Sequence, residues 1–144
     1  MKNNLPNYAF LGGTKRGMKV LQSLIQSNFL PKHSFILSED SHEKMVYSKK
    51  IEDLCVKNNV KCNVTRKLKT EDYNLLNSLK LDFIIVCGWR TLIDIPMLKS
   101  LKIGAIAAHD SLLPKYRGFS PINWGLINGE KEFGVTLFLI TEGN

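Results

Sequence analysis

The sequence predicts an α/β fold: a doubly wound, mostly parallel sheet with helices on both faces. Three observations lead there. Short apolar runs alternate with segments of helical periodicity along the chain, the pattern of βαβ units joined by right-handed crossovers. The run Leu81–Cys87 (LDFIIVC) is apolar almost throughout, as an inner parallel strand covered on both sides must be. The first apolar run ends directly in Gly12-Gly13, which reads as a tight strand-to-helix turn.

The elements follow in order. Tyr8 to Leu11 is the first strand. From Arg16 to Phe29, apolar residues at Met18, Leu21, Leu24, Ile25 and Phe29 have helical spacing, and Pro31 closes the segment. Ser34 to Leu37 is a second strand. Met45, Val46, Ile51, Leu54 and Cys55 mark an amphipathic helix over Glu43 to Asn58. Val60 to Val64 is a short third strand, and Thr70 to Leu79 a third helix with Thr70 as its N-cap. After the buried strand Leu81–Cys87 comes a short helix over Thr91 to Leu98, carrying Pro96. Ile103 to Ala108 is the fifth strand, Pro121 to Asn128 a helix, and Gly134 to Ile140 a last strand rich in β-branched residues. This is a Rossmann-like arrangement, with no repeat, low-complexity tract or internal linker.

Composition narrows the class. The chain has 144 residues, 44% hydrophobic and 23% charged, enough for one domain with its own core. It has no long uncharged apolar run and no signal-peptide h-region, so no membrane partner is expected and the cytoplasm is the expected compartment. Cys55, Cys62 and Cys87 show no CxxC spacing; an odd count without a secretion signal argues against a disulfide framework. No His, Cys and carboxylate cluster has ligand spacing, so no metal is expected. The net charge of +7 raises the question of a polyanionic partner. The lysines are dispersed over outer helices and loops, with no stripe of interleaved aromatics, and read as solvated faces.

The chemistry lies between His109 and Gly129, HDSLLPKYRGFSPINWGLING. His109 stands where the fifth strand gives way to a loop, and in open α/β sheets the carboxyl ends of strands are where ligands bind. Read locally, His109, Asp110 and Ser111 suggest a catalytic triad. Three consecutive residues project in different directions, however, and cannot line up nucleophile, base and orienter.

The block resembles the folate-dependent formyltransferases, a family that includes methionyl-tRNA formyltransferase, glycinamide ribonucleotide transformylase and the sugar N-formyltransferases. His109, Ser111, Leu112, Leu113, Pro114, Arg117, Gly118, Pro121, Asn123, Trp124, Asn128, Gly129, Glu130, Gly134, Val135 and Thr136 fall in step with the family pattern. The match is specific over residues 104 to 143 and looser, though consistent in element order, back to residue 8.

The resemblance implies a one-carbon transferase that moves a formyl group from 10-formyltetrahydrofolate, its cosubstrate, to a small-molecule amine. A developing oxyanion then needs donors aimed at it. His109 maps to the oxyanion donor and proton-transfer residue. The family's catalytic asparagine maps to Ala107, whose methyl group replaces the donor amide. The family's aspartate maps to position 145, one past the last residue, so the resemblance implies a domain incomplete after its last strand. Trp89, Arg90 and Leu92 fall on folate-pocket positions. Gly12 and Gly13, before a helix, suit a phosphate of a nucleotide-linked substrate. Ser111 falls among the family's substrate-side positions. Arg117 suits an anionic substrate group or a carboxylate partner, and Trp124 suits substrate contact or helix packing.

The N-W-x-x-x-N-G-E run looks most like the sugar N-formyltransferases, which makes an amino sugar on a nucleotide the expected acceptor. A methionyl-tRNA formyltransferase is the alternative, with salt-sensitive tRNA binding. A non-catalytic folate- or nucleotide-binding remnant is a second alternative, since Ala107 weakens the site. The last strand offers an exposed edge, a dimer contact if a second copy pairs with it.

Overall fold

A computed structural model describes residues 5–141. Six strands, β1 (Tyr8–Gly12), β2 (His33–Leu37), β3 (Cys62–Thr65), β4 (Phe83–Cys87), β5 (Gly104–His109) and β6 (Thr136–Ile140), alternate with four helices. These are α1 (Thr14–Gln26), α2 (Ser48–Lys57), α3 (Thr70–Ser78) and α4 (Pro121–Ile127). The sheet order is β3-β2-β1-β4-β5-β6. All pairings from β3 across to β5 are parallel. The chain winds outward from β1 to β3, then returns to place β4 on the other side of β1. The strand order therefore reverses between β1 and β4, and the crevice at their carboxyl ends is where such sheets bind ligands.

Both faces are covered over the central strands, as the apolar runs require, while Leu137 and Leu139 on β6 are exposed. On one face Tyr8, Phe10, Leu21, Ile36, Ile51 and Cys55 pack between the sheet and α1 and α2. On the other, Leu11, Phe35, Tyr73, Leu76, Ile84 and Ala107 pack against α3 and the 93–101 segment. Cys87 is a buried core residue, and all three cysteines are free thiols.

The structure differs from the sequence expectation in four places. The segment Thr91–Leu98 forms a single 3-10 turn, Ile95–Met97, with Pro96 at its start. Proline removes a backbone donor and limits helix to the turn it opens. Helix α3 begins at Thr70, with Lys69 as its cap; the Lys69 N–H donates to the Asp72 carboxylate at 2.8 Å. Third, β6 runs antiparallel to β5, with Thr136 opposite His109 and Ile140 opposite Ala105. The chain between β5 and β6 holds only the short α4, stays at the carboxyl end of the sheet and re-enters beside His109. A parallel strand would have required a crossover along the full strand length.

The fourth difference is the start of α2, at Ser48 rather than near Glu43. Its first turn lacks a local side-chain cap, yet its amides are not orphaned. The Glu39 carboxylate, at the end of β2, accepts the Tyr47 N–H at 2.5 Å, the Ser48 N–H at 2.7 Å and the Ser48 hydroxyl at 2.6 Å. Burial pushes the Glu39 carboxyl up, but the Ser48 hydroxyl and the Ser48 and Tyr47 amides outweigh it and hold the group below its usual 4.5. Glu39→Ala should destabilise the chain by about 1–2 kcal/mol, the cost of losing a cap. Because folding lowers this pKa, the stabilisation is complete above pH 4.5 and is lost as the pH falls through the lower folded-state value. Urea midpoints of wild type and Glu39→Ala should therefore converge in acid; a constant gap would contradict the cap.

Candidate active site

Three strand ends converge at the crevice. From β1 come Gly12, Gly13 and the first residues of α1; from β4, Gly88 to Arg90; from β5, Ala108 to Asp110. The approach is close because glycine permits it. A Cβ on Gly88 would lie 2.2 Å from the Gly13 carbonyl oxygen, and its φ of +72° is one that side chains rarely adopt. Gly13 donates its N–H to the Cys87 carbonyl at 3.2 Å, and a Cβ there would lie 2.8 Å from Leu37 Cβ. The glycines thus lock the β1 turn onto the end of β4. Gly12 and Gly13 line neither hollow described below; Thr14 and Arg16, just beyond them, line the larger.

Two adjoining hollows open there. A cleft of about 870 Å³ is lined by Thr14, Arg16, Trp89, Arg90, His109 and Phe119, among others. A slot of about 180 Å³ is lined by Trp89, Thr91, Leu92, Ala107, Phe138 and Ile140. His109 lines both. Ala107 and His109, two residues apart at the end of β5, share one face of that strand.

His109 is fixed by its surroundings. Its Nε2 lies 2.8 Å from the Tyr116 carbonyl oxygen. A carbonyl only accepts, so Nε2 carries the hydrogen and Nδ1 is left for the hollows. The next residue, Asp110, is ion-paired with Arg16 from the first turn of α1. Arg16 Nε is buried without a partner. The histidine backbone is thereby tied to the β1 side of the crevice.

The slot is mostly apolar, and two residues that line it carry polar atoms with no protein partner. Trp89 Nε1 and Thr91 Oγ1 are buried and unbonded. A buried polar group left unmade costs about 1–3 kcal/mol, so a slot walled by two residues that carry such groups suits a flat ligand with hydrogen-bonding edges. Folate's pterin has that character, and these residues fit it.

The remaining sequence-predicted residues lie apart from the slot. Arg90 does not line it; its guanidinium meets the Glu43 carboxylate at 2.8 Å and opens on the larger cleft. That ion pair pulls the Glu43 carboxyl down to about 2. Leu92 stands at the slot's rim, 88% exposed. Ser111 is buried, and its hydroxyl donates to the Lys115 carbonyl at 2.6 Å, bracing the loop. Arg117 is exposed and has no ion pair among the described residues. Trp124, on α4, is also exposed and lines neither hollow.

Sequence reasoning missed Thr91, Arg16, Tyr116, Phe138 and Ile140. For Phe138 and Ile140 the signal was present: strand periodicity puts them on one face of the last strand. Their meeting with Ala107 depended on the antiparallel turn of β6. Nothing local in the sequence marks the Arg16–Asp110 pair, which joins residues far apart in the chain.

An α/β domain with a histidine at a strand end, between an apolar slot and a wider cleft, has the architecture of a group-transfer enzyme site. The match to known proteins is specific. The family described as Formyl transferase matches residues 7–144, and the chain belongs to that family. It is similar to methionyl-tRNA formyltransferase of Lactobacillus johnsonii, 33% identical over 132 residues, which is 89% of this chain and 42% of that protein. The corresponding enzyme of Mycoplasma mycoides is 34% identical over 140 residues, 95% of this chain and 44% of that protein. Over a shorter stretch of 75 residues, the bifunctional polymyxin resistance protein ArnA of Wigglesworthia glossinidia brevipalpis is 51% identical, covering 52% of this chain and 11% of that protein. Among solved structures, glycinamide ribonucleotide transformylase 1 from Geobacillus kaustophilus superposes with a TM-score of 0.73 at 20% identity, over 97% of this chain and 77% of that one. That likeness is one of fold. The chain spans less than half the length of the methionyl-tRNA formyltransferases it matches.

Proposed function

We propose that this domain transfers a formyl group from 10-formyltetrahydrofolate to an amine, with a nucleotide-linked amino sugar as acceptor. The observation that carries the reading is the position of His109 on the wall shared by slot and cleft. A transfer between two bound molecules needs its proton-handling group at such a junction. When bound, 10-formyltetrahydrofolate supplies the electrophilic formyl carbon. Trp89, Thr91, Ala107, Phe138 and Ile140 hold the pterin side and exclude water. The larger cleft, within the size range of small-molecule sites, receives the acceptor, and Arg16 and the start of α1 favour an anionic group on it.

Neutral His109 takes the proton of the attacking amine at Nδ1, while Nε2–H stays on the Tyr116 carbonyl. In its charged form the same nitrogen donates to the formyl oxygen as negative charge develops there, and its proton passes to N10 of the folate as the formyl–N10 bond breaks and the formyl group stays on the amine. The neighbouring Ala107 offers no second donor, which makes the transfer slow. Arg117, Ser111 and Trp124 act around the acceptor loop rather than on the reacting atoms.

The sugar acceptor rests on the N-W-x-x-x-N-G-E run and on the absence of a concentrated basic stripe. Methionyl-tRNA as acceptor is the second reading, favoured by relatives of that name along 89–95% of the chain. Incubation with formyl-labelled cosubstrate and either a nucleotide-linked amino sugar or charged initiator tRNA separates them. Label in the sugar is expected; label only in tRNA would replace the first reading with the second. Label in neither, with folate bound, would mark the domain as a folate-binding remnant.

The slot assignment has its own test. Thr91→Val removes an unpartnered hydroxyl and little else, so the unliganded chain should hold its stability or gain about 1 kcal/mol, while affinity for 5-formyltetrahydrofolate falls about fivefold. Loss of stability without loss of affinity would show that the hydroxyl serves the fold.

A further inference from the structure

We infer that Tyr116 and Glu130 form a clamp that positions His109, an inference that deepens the proposed transfer reaction and rests on it for its catalytic consequence. Among the described residues, the His109 ring makes its hydrogen bond to the Tyr116 carbonyl. That carbonyl belongs to a residue in the left-handed region, with φ of +55°, which costs a non-glycine residue about 1 kcal/mol or more. Something must hold it there. The Tyr116 hydroxyl donates to the Glu130 carboxylate at 2.9 Å, and Asn128 Nδ2 donates to the same hydroxyl at 3.3 Å. Lys115 reaches Glu130 at 3.1 Å. Both anchors follow directly on α4, and Glu130 is itself fixed by its N–H on the Gly125 carbonyl at 2.9 Å. The Tyr116 hydroxyl draws the Glu130 carboxyl below its usual range, and Lys115 adds to the effect.

The route thus runs from α4 through Glu130 and the Tyr116 ring to the Tyr116 backbone, and from there to Nε2 of His109. Tyr116 and Glu130 touch no reacting atom and act as positioning residues. They keep the hydrogen on Nε2 and turn Nδ1 to the hollows.

The test reads the histidine directly. In the full chain labelled with ¹⁵N-histidine, His109 Nε2–H should exchange slowly with water. Tyr116→Phe and Glu130→Ala should each speed that exchange about three- to tenfold, the loss of one hydrogen bond's protection. Glu130→Gln keeps an acceptor for the Tyr116 hydroxyl but loses the charge, and should retain slow exchange. Tyr116→Phe removes a single hydroxyl and so stands as the decisive variant if Glu130→Ala fails to fold. Unprotected Nε2–H in the wild type, or unchanged exchange in Tyr116→Phe, would overturn the clamp. In the transfer assay, Tyr116→Phe should lower kcat by a similar factor with KM unchanged. Altered exchange in a chain that transfers no formyl group would leave the clamp standing and reject the proposed reaction alone.

Discussion

Replacing Ala107 by asparagine should raise the rate of formyl transfer about 100- to 1000-fold, the worth of one oxyanion donor. Ala107 is buried on β5 between Val86 and Phe138, shares a strand face with His109 and lines the slot. An amide there points into space the slot already provides, beside the atom on which charge develops. The same substitution buries a carboxamide with no partner in the unliganded chain, which costs about 1–3 kcal/mol. Ala107→Asn should therefore be less stable alone and recover with folate bound. A variant that binds folate but turns over no faster than wild type would show that the missing donor does not limit the rate.

Removing His109 should have the second large effect. His109→Ala should slow transfer about 100- to 10,000-fold, the range for loss of a general acid–base group. Stability should fall by only about 1 kcal/mol, because the Tyr116 carbonyl loses a single hydrogen bond. Binding of 5-formyltetrahydrofolate should change little, since Trp89 and Thr91 remain. Single-turnover rates set beside ligand affinity separate the two roles. If His109→Ala loses folate binding and rate together, the histidine builds the slot and does no proton chemistry.

The sheet was legible in the sequence because buried parallel strands leave an unmistakable pattern. Leu81–Cys87 contains β4, paired in parallel with β1 on one side and β5 on the other. Helix α1 follows from its apolar spacing. The start of α2 was not legible, because its cap comes from Glu39, nine residues before Ser48; spacing alone carries no trace of a distant carboxylate. The direction of β6 was hidden for a related reason. Parallel and antiparallel edge strands share one sequence pattern, and only the brevity of α4 and the return beside His109 decide between them.

At the site, His109 and Ala107 were found by motif and stand together on β5. Trp89 lines the slot, with Thr91 beside it. Arg90 was harder: from sequence it belongs to the same loop, but its side chain turns to Glu43, a partner 47 residues away. Gly12 and Gly13 looked like a phosphate turn, and the structure gives them a packing reason as well, since a Cβ at either would strike β2 or β4 side chains or backbone.

The proposed reaction stands on folate binding in the slot behind Trp89 and Thr91. The most direct test is thermal unfolding of this chain titrated with 5-formyltetrahydrofolate. At about 100 times its dissociation constant, the ligand should add about 2.7 kcal/mol of stability, and Thr91→Val should need more ligand to reach the same shift. A folded chain whose melting temperature ignores folate at every concentration would contradict the account.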